Sequence, residues 1–246
     1  MIVFRHAARL TGTIALLRRI EKAHTCVELP EGGLRLLLAV AAWEAAVADY
    51  HATQHDADDP PCAAARRLLL LAGHAFLGHA AAGANWAAAW GAVVACRPPA
   101  GASLRVAPPE GFCFYGLHPN RYVEAAGQWA RRHPPEAGRP AVVIGLRTIG
   151  SALAAVVAAT LVSRGHAVRL LTLRPRGAPA DRHCAAAPAL EADLRRGSAR
   201  FLVVDEGPGL SGSSFGGAVE WLRRLAVPEA HISLFPSWDP PAERPA

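Results

Sequence analysis

The strongest chemical signal in the sequence is an apolar strand that ends in two acids and is followed by a glycine- and serine-rich loop. The segment reads Phe201-Leu-Val-Val-Asp205-Glu206-Gly-Pro-Gly-Leu-Ser-Gly-Ser-Ser-Phe215. Small residues at a helix start leave backbone N–H groups free to bind a phosphate, and the helix dipole favours the same anion. Acids repel phosphate, so Asp205 and Glu206 suit ribose hydroxyls or the water shell of a magnesium ion. The segment predicts a sugar-phosphate site, although a polar turn before a helix capped by Ser213 or Ser214 stays open.

A second segment also places polar residues between a strand and a helix. It reads Val142-Val-Ile-Gly-Leu-Arg147-Thr-Ile-Gly150-Ser151. An arginine and the N–H groups of such a turn can neutralise a pyrophosphate. A glycine-flanked turn also suits a dinucleotide-binding fold, but the GxGxxG spacing of that fold is absent.

Strands and helices alternate around both segments. Strands separated by helices pair in parallel through crossover connections, so we expect an open, mainly parallel α/β sheet with flanking helices. Ligands of such sheets bind at the carboxyl ends of the strands, where both segments begin. The predicted strands cover residues 141–145, 167–173, 201–204 and 231–235, and the predicted helices cover 122–132, 151–164 and 216–225.

The first hundred residues have a different pattern. Apolar positions at helical spacing predict helices over 34–50, 62–82 and 86–96, with a short strand at residues 1–4. Prolines at 98, 99, 108 and 109 predict an extended linker over 97–111 without regular structure. We therefore expect a mainly helical N-terminal region, residues 1–105, followed by an α/β domain, residues 106–246.

The Asp205 segment resembles the signature of type I phosphoribosyltransferases. In that family a four-residue apolar strand, two acids and a Thr/Gly/Ser loop hold the ribose and 5-phosphate of phosphoribosyl pyrophosphate. The resemblance implies a phosphoribosyltransferase-like fold for residues 106–246, with transfer of ribose 5-phosphate to an acceptor and Mg²⁺ as cofactor. This chain has one residue more than the family between the acids and the Ser-Gly pair, and Pro208 lacks an N–H. The alternative is a non-catalytic module that senses the donor or a nucleotide.

The resemblance also implies a role for individual residues. Asp205 and Glu206 would face the ribose hydroxyls, hold Mg²⁺ through water and act in catalysis together with Arg147. The implied phosphate- and ribose-binding residues are Gly209, Ser211, Gly212, Ser213 and Ser214, and the implied pyrophosphate-binding residues are Arg147, Thr148, Gly150 and Ser151.

Three further segments lie near the predicted site. The basic segment from Arg174 to His183 is either a loop that closes over the pyrophosphate or an ordinary surface loop. The aromatic-rich segment 109–122 either stacks on the acceptor or packs the N-terminal helices on the sheet. Trp238 and Asp239 come after the last strand and are candidate acceptor contacts.

Composition limits the classes of partner. The net charge is +6, but arginine is spread along the chain without clustered aromatics, so we expect no nucleic acid. The five cysteines include no close pair, which favours free thiols over disulfides or zinc and a cytoplasmic location. Residues 68–96 carry no charge but are mostly alanine and glycine, so we expect buried helices and no membrane association. Their apolar faces could also form a homodimer interface.

Overall fold

The computed structural model describes residues 8–52, 54–79, 84–114, 116–207 and 211–238. The strand predicted at residues 1–4 lies outside this part of the chain. In chain order the elements are β1 (Arg9–Gly12), α1 (Thr13–Thr25), α2 (Gly32–His51), α3 (Pro60–Phe76), α4 (Ala84–Ala95), β2 (Ser103–Val106), α5 (Glu110–Phe114), α6 (Asn120–Arg132), β3 (Ala141–Leu146), α7 (Ile149–Val162), β4 (Val168–Leu173), β5 (Arg176–Ala178), β6 (Asp181–His183), α8 (Pro188–Arg196), β7 (Arg200–Val204), α9 (Ser213–Arg224), a 3-10 turn (Glu229–His231) and β8 (Ile232–Phe235).

Four strands form a parallel sheet in the order β4-β3-β7-β8. All four were predicted, and the open parallel α/β sheet is confirmed. The first strand of the sheet, β3, lies inside it because the chain builds β4 on one side and then β7 and β8 on the other. The order therefore reverses between β3 and β7, and a crevice at such a switch point is the usual ligand position in open α/β sheets.

The sheet is covered on both faces. Val143, Leu202 and Val204 point to one face, which is packed by α7 and the N-terminal helices. Their strand neighbours, such as Ile144 and Val203, point to the other face, which is packed by α8 and α9. This alternation results from the two-residue period of a strand, and burial of both faces explains why the strands read as continuous apolar runs.

Helix α7 joins the N-terminal region to the sheet. It is buried from Ile149 to Leu161, with α2, α3 and α6 around it. The helices approach closely because their contact residues are small: a Cβ on Gly73 of α3 would lie 2.5 Å from the Ala155 carbonyl oxygen. The residues before and after position 105 therefore share one hydrophobic core.

The prediction of an extended linker over 97–111 is wrong in two places. Ser103–Val106 forms β2, which pairs antiparallel with β1, and Glu110 begins the short helix α5. The prolines flank the strand without interrupting it, so its N–H groups remain free to pair. Elsewhere α3 ends at Phe76, before the predicted end at 82, and α9 begins at Ser213 instead of 216.

Elements α1, α8 and the β5–β6 hairpin were not predicted. In the described parts of the chain, no helix combines the length and the apolar character that a bilayer span requires.

Candidate functional site

Two loops meet at the carboxyl edge of the sheet, at the switch point. One, the Arg147–Gly150 loop, comprises Arg147 and Thr148 after β3 and the first two residues of α7. The other begins at Asp205 after β7. They are in close contact, since a Cβ on Gly150 would lie 2.6 Å from the Val204 carbonyl oxygen and 3.4 Å from Asp205 Oδ1. The two segments singled out in the sequence thus lie side by side, and glycine at position 150 makes this approach sterically possible.

Asp205 lies in a half-buried position in this contact. Its backbone carbonyl accepts a 2.7 Å hydrogen bond from the Tyr122 hydroxyl. Burial raises the pKa of its carboxyl group to about 7; the Glu206 carboxylate also raises it, while the Glu206 N–H, Arg174 and Arg182 oppose the rise. The group therefore takes up a proton near neutrality unless further donors stabilise its charge.

Glu206 is directed towards a different neighbour. A Cβ on Gly111 would lie 2.7 Å from Glu206 Oε1, so the carboxylate lies against the backbone of α5. Burial raises the pKa of Glu206, the Glu110 carboxylate raises it further, and a hydrogen bond from the Gly111 backbone lowers it. Segment 109–122 consequently contacts the acids through the Gly111 backbone and the Tyr122 hydroxyl, while Phe112 and the Tyr122 ring pack against the core.

The loop after the acids begins helix α9. Gly212 is the N-cap residue, with a φ of 64°, and as a glycine it has no side chain to cap the helix. The expectation that Ser213 or Ser214 is the cap is therefore wrong, whereas the interpretation of this segment as a polar turn before a helix stays open. The predicted phosphate-binding residue Gly209 lies outside the described residues, as does Asp239.

Two serine hydroxyls of this loop contact the β5–β6 hairpin. Ser211 Oγ donates to the Pro179 carbonyl oxygen at 3.0 Å, and Ser213 Oγ donates to the same oxygen at 2.6 Å. The Ser213 N–H donates to Ser211 Oγ at 3.3 Å. The hairpin, which belongs to the basic segment 174–183, thus lies over the start of α9.

Arg147 has a different environment from the one that its predicted role suggested. Its side chain is buried: Nε donates to Asp49 Oδ1 at 3.0 Å, Nη2 pairs with Asp56, and Nη1 donates to the backbone and side-chain oxygens of Thr172 at 3.2 Å. Burial would lower its pKa, but Asp56 and other nearby acids hold the pKa above its ordinary value. The guanidinium therefore faces acids, and direct contact with pyrophosphate would require it to leave this network.

The other predicted pyrophosphate residues divide into two groups. Ser151 is buried, and its hydroxyl donates to Glu44 Oε2 at 2.8 Å, while its N–H donates to the Thr148 carbonyl at 3.3 Å. Thr148 is half-buried, and its Oγ1 lies 3.4 Å from two nitrogens of Arg174. Thr148 and Gly150 therefore lie at the crevice, whereas the Ser151 hydroxyl belongs to the interface with α2.

Arg174, which follows β4, binds the loop after β3. It donates to the Arg147 carbonyl oxygen at 2.7 Å and forms a two-point ion pair with Asp49, at 3.0 and 2.5 Å. Burial would raise the pKa of Asp49, but Arg174 and Arg147 lower it below its ordinary value. Arg174 is thus both fixed by Asp49 and adjacent to the switch point.

No family model, curated protein or solved structure matches this chain. The function is therefore inferred from the site itself.

Sequence reasoning missed the acids of the N-terminal region that reach the sheet edge. Glu44 accepts from the Ser151 hydroxyl at 2.8 Å and from the Thr172 hydroxyl at 2.5 Å, and Asp49 binds two arginines. A signal was present, since Glu44 and Asp49 are the two acids of segment 34–50, which is apolar from Leu36 to Trp43. Asp56 had no comparable signal, because it lies in a polar connection with several acids.

The described residues contain no group of three or more His, Cys, Asp or Glu side chains that could hold a metal ion. The paired acids at 205 and 206 remain as the metal candidates predicted from the sequence.

Proposed function

We propose that residues 106–246 form a phosphoribosyltransferase-like domain that binds phosphoribosyl pyrophosphate, or a related nucleotide, at the crevice between β3 and β7. The domain would transfer the ribose 5-phosphate group to an acceptor. The supporting observation is the contact between the two loops: the Asp205 loop and the Arg147–Gly150 loop meet where the strand order reverses. This is the position at which open α/β sheets bind ligands.

The 5-phosphate would bind at the start of α9. Its N-cap residue, Gly212, has no side chain to cap the first turn, and backbone N–H groups at a helix start attract a phosphate. The Ser213 N–H, now bonded to Ser211 Oγ, would also turn to the phosphate. The hydroxyls of Ser211 and Ser213, which now donate to the Pro179 carbonyl oxygen, would donate to phosphate oxygens instead. Binding of the donor would therefore move the β5–β6 hairpin, as a loop that covers a bound substrate does.

The ribose would lie against Asp205. Its hydroxyls would donate to the carboxylate and lower the pKa of Asp205 from its ligand-free value of about 7. The resulting negative charge would stabilise the positive charge that develops at the anomeric carbon in the transition state. Ionisation of Asp205 and binding of the donor are thus coupled in this proposal.

The pyrophosphate would lie on the backbone of Thr148 to Gly150, next to Arg174. Mg²⁺ is commonly held by one or two carboxylates together with substrate phosphates, so Asp205 and Glu206 suit an ion that enters with the pyrophosphate. The ion would neutralise charge on the leaving group. Arg147 would act as a positioning residue, because its guanidinium is bound to Asp49 and Asp56 and so holds the Arg147–Gly150 loop in place.

One observation favours a sensing module as the second candidate. Arg147, Ser151 and Arg174 are bonded to acids of α2 and of the segment after it. A ligand at the sheet edge would therefore act directly on contacts with the N-terminal region. A non-catalytic sensor of the donor or a nucleotide needs such a link, because ligand binding must change the contacts of another part of the protein.

Calorimetric titration of phosphoribosyl pyrophosphate with Mg²⁺ tests the proposal. The double variant Asp205→Asn with Glu206→Gln should lose binding and keep its far-UV circular dichroism. Glu124→Gln is the matched control, because Glu124 is an exposed acid of α6. Unchanged binding in the double variant would refute the site.

A second assay separates the two candidates. Pyrophosphate release is measured with the donor, Mg²⁺ and a panel of bases. Release above the level of the double variant indicates a transferase, whereas binding without release indicates a sensor.

A further inference from the structure

A second pocket lies beside the sheet edge, between α2, β2 and the segment after β4. Its volume is about 310 Å³, which is the lower end of the size range of small-molecule sites. Its polar lining residues are Asp49, Tyr50, Ser103, Arg105, Arg174 and Arg176. Among them, only Arg174 was placed next to the donor in the proposed sugar-phosphate site, although Arg176 begins the hairpin that lies over the start of α9.

The charges around this pocket favour an anion. Three guanidinium groups and one carboxylate line it, which leaves an excess of two positive charges. The carboxylate of Asp49 is already engaged by Arg174 and by the buried Arg147. Arg105 is exposed on β2, and no ion pair within the described parts of the chain involves it.

Arg176 retains hydrogen-bonding capacity that protein atoms do not use. One of its terminal nitrogens donates to the Ala52 carbonyl oxygen at 3.3 Å and lies 3.8 Å from Asp56. Its Nε is buried and has no hydrogen-bond partner among the described residues. A buried donor without a partner is costly, so a shift of this 23% exposed side chain that brings Nε to an anion in the pocket would be stabilising.

The rest of the lining is apolar or aromatic. Tyr50, at the end of α2, is 44% exposed, and alanines at positions 46 and 52 lie beside it. An exposed aromatic face next to guanidinium groups suits a ligand with a planar ring beside its anionic group. The guanidinium fork matches phosphate oxygens in two-point contacts, and a phosphate monoester carries two charges near neutral pH.

We propose that this pocket binds a small phosphate monoester whose phosphate is held by Arg105 and Arg176 and whose planar group lies against Tyr50. Binding does not require the sugar-phosphate site at β7. The two sites would be neighbours, because Arg174 contributes to the walls of both.

The test is calorimetric titration of the full chain with phenyl phosphate, using phenol as the neutral analogue. Phenyl phosphate should bind, more weakly at high salt, and phenol should not. Arg105→Gln and Arg176→Gln should each weaken binding roughly ten-fold, the usual effect of losing one charge-assisted hydrogen bond. Arg132→Gln, an exposed charge on α6, is the matched control and should have no effect.

Further variants locate the ligand. Arg105 is exposed, so its replacement tests the pocket even where the Arg176 variant fails to fold. The proposal is overturned by absence of binding, by equal binding of phenol, or by full affinity in Arg105→Gln, which would place the ligand outside this pocket.

Discussion

Replacing Asp205 by Asn should stabilise the folded chain at pH 8. The pKa of this carboxyl is raised from an ordinary 3.8 to about 7, mainly by burial. The folded state therefore holds a proton that the unfolded state has released between about pH 4 and pH 7. The contribution of this group to the free energy of unfolding is greatest below pH 4 and falls as the pH rises to 7.

The size of the effect comes from the shift. A tenfold change in an equilibrium corresponds to about 1.4 kcal/mol, so the rise in the pKa of Asp205 from 3.8 to about 7 sets a ceiling of about 4 kcal/mol on the cost of the charge. Asp205 is half-buried rather than enclosed, and water at its exposed side brings the cost below this ceiling. Asn retains an oxygen that can accept from the Glu206 N–H and carries no charge. The variant should therefore equal the parent in stability at pH 4 and exceed it at pH 8.

Urea unfolding monitored by circular dichroism, at intervals between pH 4 and pH 8, measures this difference. The contributions of the other titrating groups cancel in the difference between the two free energies of unfolding, because parent and variant share those groups. Glu124→Gln is the control for loss of an exposed charge. A stability difference that does not change with pH, or a variant less stable than the parent at pH 8, would refute the reasoning.

Three further predictions concern the contacts around the site. Arg147→Met should lower the free energy of unfolding by about 3 to 5 kcal/mol in urea titrations, because it leaves buried acids without their partner. If Arg147→Met lowered the free energy of unfolding by less than the replacement of an exposed arginine does, the buried ion-pair network would be contradicted. Gly150→Ala should cost about 1 to 3 kcal/mol, since its Cβ would lie 2.6 Å from the Val204 carbonyl oxygen, and an unchanged melting temperature would count against this contact. Ser213→Ala should remove about 1 kcal/mol of hydrogen bonding to Pro179 and speed amide exchange in the β5–β6 hairpin, and unchanged exchange would show that the hairpin is held by other contacts.

The sequence was informative about the strands and about the turns at their carboxyl ends. β7 was predictable because an apolar run stops abruptly at Asp205, and β3 because its run stops at a glycine-flanked turn. Parallel pairing was inferred from the alternation with helices, and it placed both turns at one edge. The position of the site was therefore predictable from two things: the apolar runs that stop at turns, and the rule that strands separated by helices pair in parallel.

The side-chain partners were not predictable in the same way. Arg147 pairs with Asp49 across 98 residues of sequence, and Ser213 meets Pro179 across 34. Such pairs depend on how α2 and the hairpin dock, and no local periodicity encodes this docking. The sequence thus suggested a free arginine at position 147, whereas folding surrounds it with acids.

The strand β2 illustrates a second limit. The prolines around residues 97–111 suggested a segment without regular structure, yet Ser103–Val106 pairs with β1. Proline removes only its own N–H, and the strand residues between the two proline pairs were free to form a ladder.

The central claim is that a sugar phosphate binds where the loops after β3 and β7 meet. Backbone amide chemical shifts, recorded while phosphoribosyl pyrophosphate and Mg²⁺ are added to the labelled chain, test it most directly. The largest changes should fall on Thr148, Gly150, Glu206, Ser213 and Ser214. Absence of changes at these amides, or changes confined to other parts of the chain, would contradict it.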